Sequence, residues 1–150
     1  MKTLHAVLLG CVLPSLALAQ TTGPATRTEV VDQGAQDPAV SPDRAQIALG
    51  ILGKIWLVPI QGGPARQVSF GSSWDSHPAW SADGQCLAYA HQQPQRSELV
   101  VLNLATGGTR TLYSAETGVG AIAFHPTRPQ ILFISDIGQF DANLWSINVP

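Results

Sequence analysis

Cysteine is almost absent from this chain. Of 150 residues only Cys11 and Cys86 are cysteines, and Cys11 falls inside an amino-terminal apolar segment with the features of a cleavable leader. Loss of that leader leaves a single thiol and no possibility of an internal disulfide, so stability has to come from packing. Charge is equally scarce. Asp, Glu, Lys and Arg make up 12% of the chain, and the formal net charge is -2. The basic footprint that nucleic-acid binding requires is therefore missing. No apolar run reaches the roughly 20 residues needed to span a bilayer. The chain also has no glycine-rich phosphate loop, no Gly-x-Ser-x-Gly nucleophile elbow and no His-x-His metal pair. What the sequence has in quantity is apolar side chains, 45% of the total, enough to build a folded core.

The first twenty residues, MKTLHAVLLGCVLPSLALAQ, place one lysine before a short apolar run and end on Ala17-Leu18-Ala19. That is the pattern of a secretory signal cut after Ala19, with a periplasmic or extracellular product. A retained membrane anchor is disfavoured by the length of the run and by Pro14. Leu8-Leu9-Gly10-Cys11 has the look of a lipoprotein signal, but the apolar stretch ahead of Cys11 is short and the run continues past it. Residues 20–36 read as a lead-in strand or linker.

From residue 37 the chain repeats itself. VSPDRAQIALG from Val40, WSADGQCLAYA from Trp80 and FHPTRPQILFI from Phe124 align without a gap, at offsets of 40 and then 44. Val40, Trp80 and Phe124 share one column, Ile47, Leu87 and Ile131 a second, and Leu49, Tyr89 and Phe133 a third. Large apolar groups two residues apart mark a strand with a buried face. The similarity continues in IWLVPIQGGPARQV from Ile55 and LVVLNLATGGTRTL from Leu99, and LWSINVP from Leu144 begins the same phrase. In the second copy this predicts strands near 78–80, 85–90, 99–104 and 109–112.

Ser81-Ala82-Asp83-Gly84 suits a type I turn whose corner Asp83 holds by accepting backbone amides, with glycine free to take a positive φ. The first copy puts Arg44 where the second has Gly84, a strained choice if the residue is left-handed. The third has Thr127 and Arg128 at the Asp and Gly positions, so its turn is expected to differ. The Gly62-Gly63 and Gly107-Gly108 pairs mark a second hairpin in each unit. Cys86 falls in an apolar strand and is expected to be core.

Four short strands per 40 to 45 residues is the arithmetic of a β-propeller blade, a twisted sheet that buries its two apolar faces only against neighbouring blades. The predicted fold is all-β, a partial propeller of about three four-stranded antiparallel blades, the last incomplete, over residues 37–70, 77–113 and 121–150. Propellers generally close with about four to eight blades, so three blades by themselves leave sheet faces and edges free to take further blades of a longer chain or to self-associate.

The phrases PAVSPD and HPAWSADG, followed by apolar strands ending in Gly-Gly, resemble the TolB-like, WD-repeat-like propeller repeat over about residues 37–150. The resemblance implies kinship with propellers found in TolB, in tricorn-type and prolyl-oligopeptidase-type peptidases, and ahead of the metal-dependent barrel of exported amidohydrolases. Two functional expectations follow. The first is a non-catalytic exported module that binds or scaffolds a protein or peptide, without cofactor. The second is the amino-terminal propeller segment of an exported amidohydrolase or peptidase whose catalytic domain lies beyond residue 150.

Loops on one rim of such a propeller are expected to carry the candidate binding residues: Trp74, Asp75 and His77 near His91 in one blade, with Asp136, Phe140 and Asp141 in the next. Asp75 with the two histidines has the donor types of a metal site but is short of ligands. Exposed Trp74 and Phe140 beside acidic groups suit contact with a protein partner.

Overall fold

A computed structural model describes residues 34–136 and 142–149. The signal segment, most of the lead-in, Phe140 and Asp141 lie outside the described residues. Eleven strands follow one another without an intervening helix among those residues: β1 Gln36–Val40, β2 Gln46–Ile51, β3 Lys54–Pro59, β4 Arg66–Gln67, β5 Trp74–Trp80, β6 Cys86–Gln93, β7 Arg96–Asn103, β8 Thr109–Ala115, β9 Val119–Phe124, β10 Gln130–Ser135 and β11 Asn143–Asn148. They form three antiparallel meanders, β1-β2-β3-β4, β5-β6-β7-β8 and β9-β10-β11, which are the three expected blades, the third with three strands among the described residues.

The turns follow from their side chains. In the first two blades a serine and an aspartate two residues later form the corner. Ser41 Oγ donates to Asp43 Oδ1 at 2.5 Å and Ser81 Oγ to Asp83 Oδ1 at 2.6 Å, while the carboxylates accept the amides of Ala45 and Gln85, each at 3.0 Å. The i to i+3 backbone bonds of the turn run from Arg44 to Ser41 and from Gly84 to Ser81, each at 2.9 Å. Arg44 and Gly84 both have positive φ, 59° and 70°, so the arginine carries the strain that glycine avoids. The third blade solves the corner differently. His125 stands in the serine column, and its Nδ1 accepts the amides of Thr127 and Arg128 at 3.2 and 3.1 Å.

Blade two is packed on both faces, and strand alternation explains how. Leu87, Tyr89, Val100 and Leu102 point toward blade one and join Ala48, Ile55, Leu57 and Val68 in one core. Ala88, Ala90, Leu99 and Val101 point the other way and join Val119, Ile131 and Phe133 in a second. Consecutive residues of β6 and β7 thus serve alternate cores, as a sheet sandwiched between two others requires. Cys86 borders the second core and is only partly buried. Desolvation, with a smaller effect from Asp83, pushes its thiol above the usual range.

A backbone irregularity recurs with the repeat. Asp37, His77 and Ala121 all have positive φ, 52°, 53° and 43°, at the same offsets of 40 and 44 as the sequence columns. Each lies where the ladder between the first and second strand of its blade slips register. These are β-bulges in the first strand of every blade, with a non-glycine residue in a left-handed conformation.

A candidate binding groove and an inter-blade ion cluster

The expected rim constellation is divided by the fold into two separate places. Trp74, Asp75 and His77 were expected in a loop. They belong instead to β5, which starts four residues before the expected position, and His91 lies within β6, which runs to Gln93. The cause is the pairing of Trp74, Asp75 and Ser76 with Gln92, His91 and Ala90, which extends both strands beyond the apolar stretch.

The first place is a buried ion cluster between blades one and two. Asp75 is 1% exposed. Its Oδ1 accepts from Ser73 Oγ at 2.9 Å and lies 2.8 Å from His91 Nδ1, and its Oδ2 is 3.5 Å from Lys54 Nζ. That last distance is an ion pair without a hydrogen bond, since Oδ2 has no hydrogen-bond partner. Lys54 belongs to blade one and also donates to the Ser73 carbonyl, and the Asp75 amide donates to the Gly53 carbonyl at 2.9 Å. Trp74 closes over the same hairpin. A Cβ built on Gly53 would sit 2.7 Å from Trp74 Cε3, so only glycine fits beneath the indole, whose other side leaves the residue 51% exposed. Asp75 and His91 do meet, as expected, but Asp75 is a buried tie between blades and is screened from solvent.

Tyr89 stands beside this cluster, its ring centroid 6.4 Å from that of His91. Desolvation, aided by the Asp75 charge, pushes its phenol up to about 12.

The second place is a groove of about 540 Å³ lined by the first strands of all three blades. The bulge residues Asp37, His77 and Ala121 and the apolar columns Val40, Trp80 and Phe124 all border it. His77 sits at its centre. The His77 amide donates to Asp37 Oδ2 at 3.2 Å, the imidazole Nε2 lies 3.8 Å from the same carboxylate oxygen, and Nδ1 is 3.0 Å from Ser76 Oγ. On the far side, a Cβ built on Gly120 of blade three would meet the imidazole at 3.7 Å. His77 thus spans from blade one to blade three, while His91 is held on Asp75. Trp80 fastens the floor by donating Nε1 to the Ala39 carbonyl at 2.9 Å.

Sequence reasoning missed this groove. The signal was present in the alignment itself, where Asp37 and His77 share a column. Asp and His are among the few non-glycine residues enriched at positive φ, so that column pointed to a bulge. Asp136 lies near Gly118, 3.7 Å from a Cβ built there, and its Oδ1 is buried without a hydrogen-bond partner. Among the described residues no three His, Cys, Asp or Glu side chains cluster closely enough to hold a metal ion. No described helix is long and apolar enough to cross a membrane.

No protein-family model and no curated protein matches the sequence. Solved structures do. TolB from Acinetobacter baumannii superposes with a TM-score of 0.66 at 18% identity, covering 77% of this chain and 30% of that one. A structure designated TolB from Agrobacterium tumefaciens gives a TM-score of 0.66 at 25% identity, covering 79% of this chain and 46% of that one. The β-propeller domain of the Trilobed protease from Pyrococcus furiosus gives 0.56 at 15% identity, with 76% and 39% covered. The chain spans less than half the length of these structures. The eleven described strands are three blades of a β-propeller similar in fold to those of the TolB structures.

Proposed function

We propose that this chain is a non-catalytic part of an exported propeller that binds a protein or peptide segment along the groove formed by its first strands. One observation carries the reading. Three blades independently place a strained left-handed residue at the same point of the groove wall, and strain of roughly 1 to 3 kcal/mol per residue is kept where it serves a site. The bulges interrupt the ladder and turn Asp37 and His77 to the groove, which offers a partner an acidic group and an imidazole among apolar walls. Exposed Trp74 on the rim extends the contact surface, with Asp136, Phe140 and Asp141 as further rim candidates. Asp75 and His91 act from behind by holding Trp74 and the blade interface. The open faces of blades one and three take neighbouring blades, from a longer chain or from another copy.

Photocrosslinking tests this. A benzoylphenylalanine at exposed Ala123, in the groove, is expected to capture a protein partner in the native host, with the yield falling when His77 is replaced by alanine. Absence of any adduct from position 123 or from position 74 would refute the binding role. Export is tested on the same material by the mass of the amino terminus, expected to begin at Gln20.

A second reading has support from the likeness to a protease's propeller domain: the chain is the propeller segment of an exported amidohydrolase or peptidase. Reading the transcript past codon 150 decides, since a His-x-His pair after further blades favours an amidohydrolase and a nucleophile elbow a serine peptidase.

A further inference from the structure

The fourth strands of blades one and two are unequal. β4 has two residues, Arg66–Gln67, and β8 has seven, Thr109–Ala115. Past Gln67 the chain of blade one is held on Ile55, whose carbonyl accepts the amides of Val68 and Ser69 at 2.9 and 3.4 Å and whose amide donates to Ser69 Oγ at 2.8 Å. The short strand leaves a cleft of about 400 Å³ between the outer parts of the two blades, a volume in the range of small-ligand sites. None of its lining residues borders the groove formed by the first strands.

Val68, Leu102 and Leu104 give this cleft apolar walls, and Phe70 lines it with a ring that is 70% exposed. Tyr89 also borders it and is 4% exposed. Among the described residues no hydrogen bond engages the Tyr89 hydroxyl and no ion pair engages the Arg66 guanidinium. Buried hydroxyls ordinarily have a partner, so this one is left for a guest, and burial keeps it protonated and able to donate by pushing its phenol up to about 12. Arg66 supplies the one fixed charge of the lining, which contains no Asp or Glu. Asp75, behind His91, is balanced by Lys54 at 3.5 Å. Asp43 and Asp83 border Arg66 from an adjoining pocket, where each is engaged by its own serine. The cleft runs from the β7–β8 turn at Gly107 to His91 and is confined to one pair of blades, which suits a compact molecule better than a chain.

We propose that the cleft binds a small aromatic carboxylic acid, its carboxylate on the Arg66 guanidinium and the Tyr89 hydroxyl and its ring against Phe70, between Val68 and Leu102. The chemistry of the lining selects this class. A guanidinium matches the fork of a carboxylate, and a phenol adds a neutral donor to the same anion. The exposed Phe70 ring gains most from an aromatic partner, which packs on it with an offset. Positive charge without an opposing carboxylate in the lining disfavours amines, and the apolar walls disfavour a small inorganic anion. The site goes beyond the groove reading and stands independently of it.

Equilibrium dialysis of the chain against phenylacetate tests the site. Saturable binding of one molecule per chain is expected, at least about tenfold weaker in Arg66→Gln, severalfold weaker in Tyr89→Phe, and unchanged in Arg110→Gln, whose arginine is exposed on β8 outside the cleft lining. Phenylacetamide, of the same shape without the charge, is expected to bind the unaltered chain at least about tenfold more weakly than the acid. That comparison decides even where a variant fails to fold. No saturation at millimolar phenylacetate overturns the proposal, as does equal binding of acid and amide or full binding by a folded Arg66→Gln chain. Acetyl-Ala-Ala-Phe with a free carboxylate distinguishes the source of the acid: binding about tenfold tighter than that of phenylacetate would make the cleft a reader of peptide ends and overturn the small-acid assignment. Crosslinking through position 123 is expected to be unaffected by phenylacetate, and competition there would place the acid in the groove and overturn the site.

Discussion

Replacing Asp75 by alanine tests how the first two blades are held together. The carboxylate is 1% exposed and is met by Ser73 Oγ at 2.9 Å, His91 Nδ1 at 2.8 Å and Lys54 Nζ at 3.5 Å. Removing one partner of a buried ion pair strands the other, at a cost of about 3 to 5 kcal/mol. Lys54 keeps its bond to the Ser73 carbonyl and 16% of its side chain reaches solvent, which provides partial relief and puts the expected loss near the lower end, about 3 kcal/mol. Asp75→Asn preserves shape and the backbone bond to Gly53, and forfeits only the charge, so about 2 kcal/mol is expected from the weakened charge-assisted bonds. Urea unfolding measures both, with the m-value unchanged if the two states keep their surfaces. A cycle with Lys54→Met is expected to show coupling of at least about 1 kcal/mol. A loss below about 1 kcal/mol for Asp75→Ala, or a cycle without coupling, would mean that the cluster does not tie the blades. Loss of partner capture at unchanged stability would make Asp75 a contact residue instead.

Two glycine replacements separate strain from clash: Gly84→Ala places its Cβ 3.7 Å from Pro42, an ordinary contact, so only the positive φ penalises it, by about 1 kcal/mol after the gain in unfolded-chain stiffness. Gly53→Ala adds a 2.7 Å clash with Trp74 and is expected to cost about 3 kcal/mol, with a change in tryptophan emission; equal costs would refute the packing described for Trp74. Asp43 and Asp83 are held below the usual carboxylate range, first by the Ser41 and Ser81 hydroxyls and then by the amides of Ala45 and Gln85. A depressed carboxylate stabilises the fold above its unfolded pKa of about 3.9 and loses that contribution as pH falls through the lower folded value. The melting temperature should therefore drop below about pH 4, and the drop should be smaller in Asp43→Asn/Asp83→Asn. Tyr89 works at the other end: its phenol is pushed up to about 12, so stability present below about pH 10 is lost as pH rises toward 12, and Tyr89→Phe should flatten that decline.

The apolar columns and turn residues were legible because each rests on local chemistry. Leu87 and Tyr89 alternate with Ala88 and Ala90 within one strand, and Ser81 reaches Asp83 two residues away. What the sequence concealed depends on distance or on exceptions to alternation. Asp75 reads as a loop residue because a carboxylate in a buried strand makes sense only once Lys54, 21 positions earlier, is seen beside it. His77 reads as part of the same loop because a bulge breaks the two-residue period that marks strands. The third corner was expected to differ, but the Nδ1 of His125 as the replacement acceptor follows from a backbone path that residue types alone do not specify.

The groove and the ion cluster lie on the same strand, two residues apart, and this proximity ties stability to the binding surface. Asp75 anchors the start of β5 to blade one through Lys54 and Gly53, and the bulge at His77 follows before the ladder to β6 resumes at Ala79. A left-handed histidine persists only when its surroundings over-determine it. On one side the buried cluster fixes the chain, and on the other Trp80 fixes it through the Ala39 carbonyl at 2.9 Å. Loosening either anchor lets the bulge relax toward regular strand geometry, which swings His77 out of the groove. Asp75→Asn should accordingly reduce crosslinking through position 123 even under conditions where the chain remains fully folded, whereas Asn103→Ala, in the turn after β7 and outside the groove lining, should leave it unchanged.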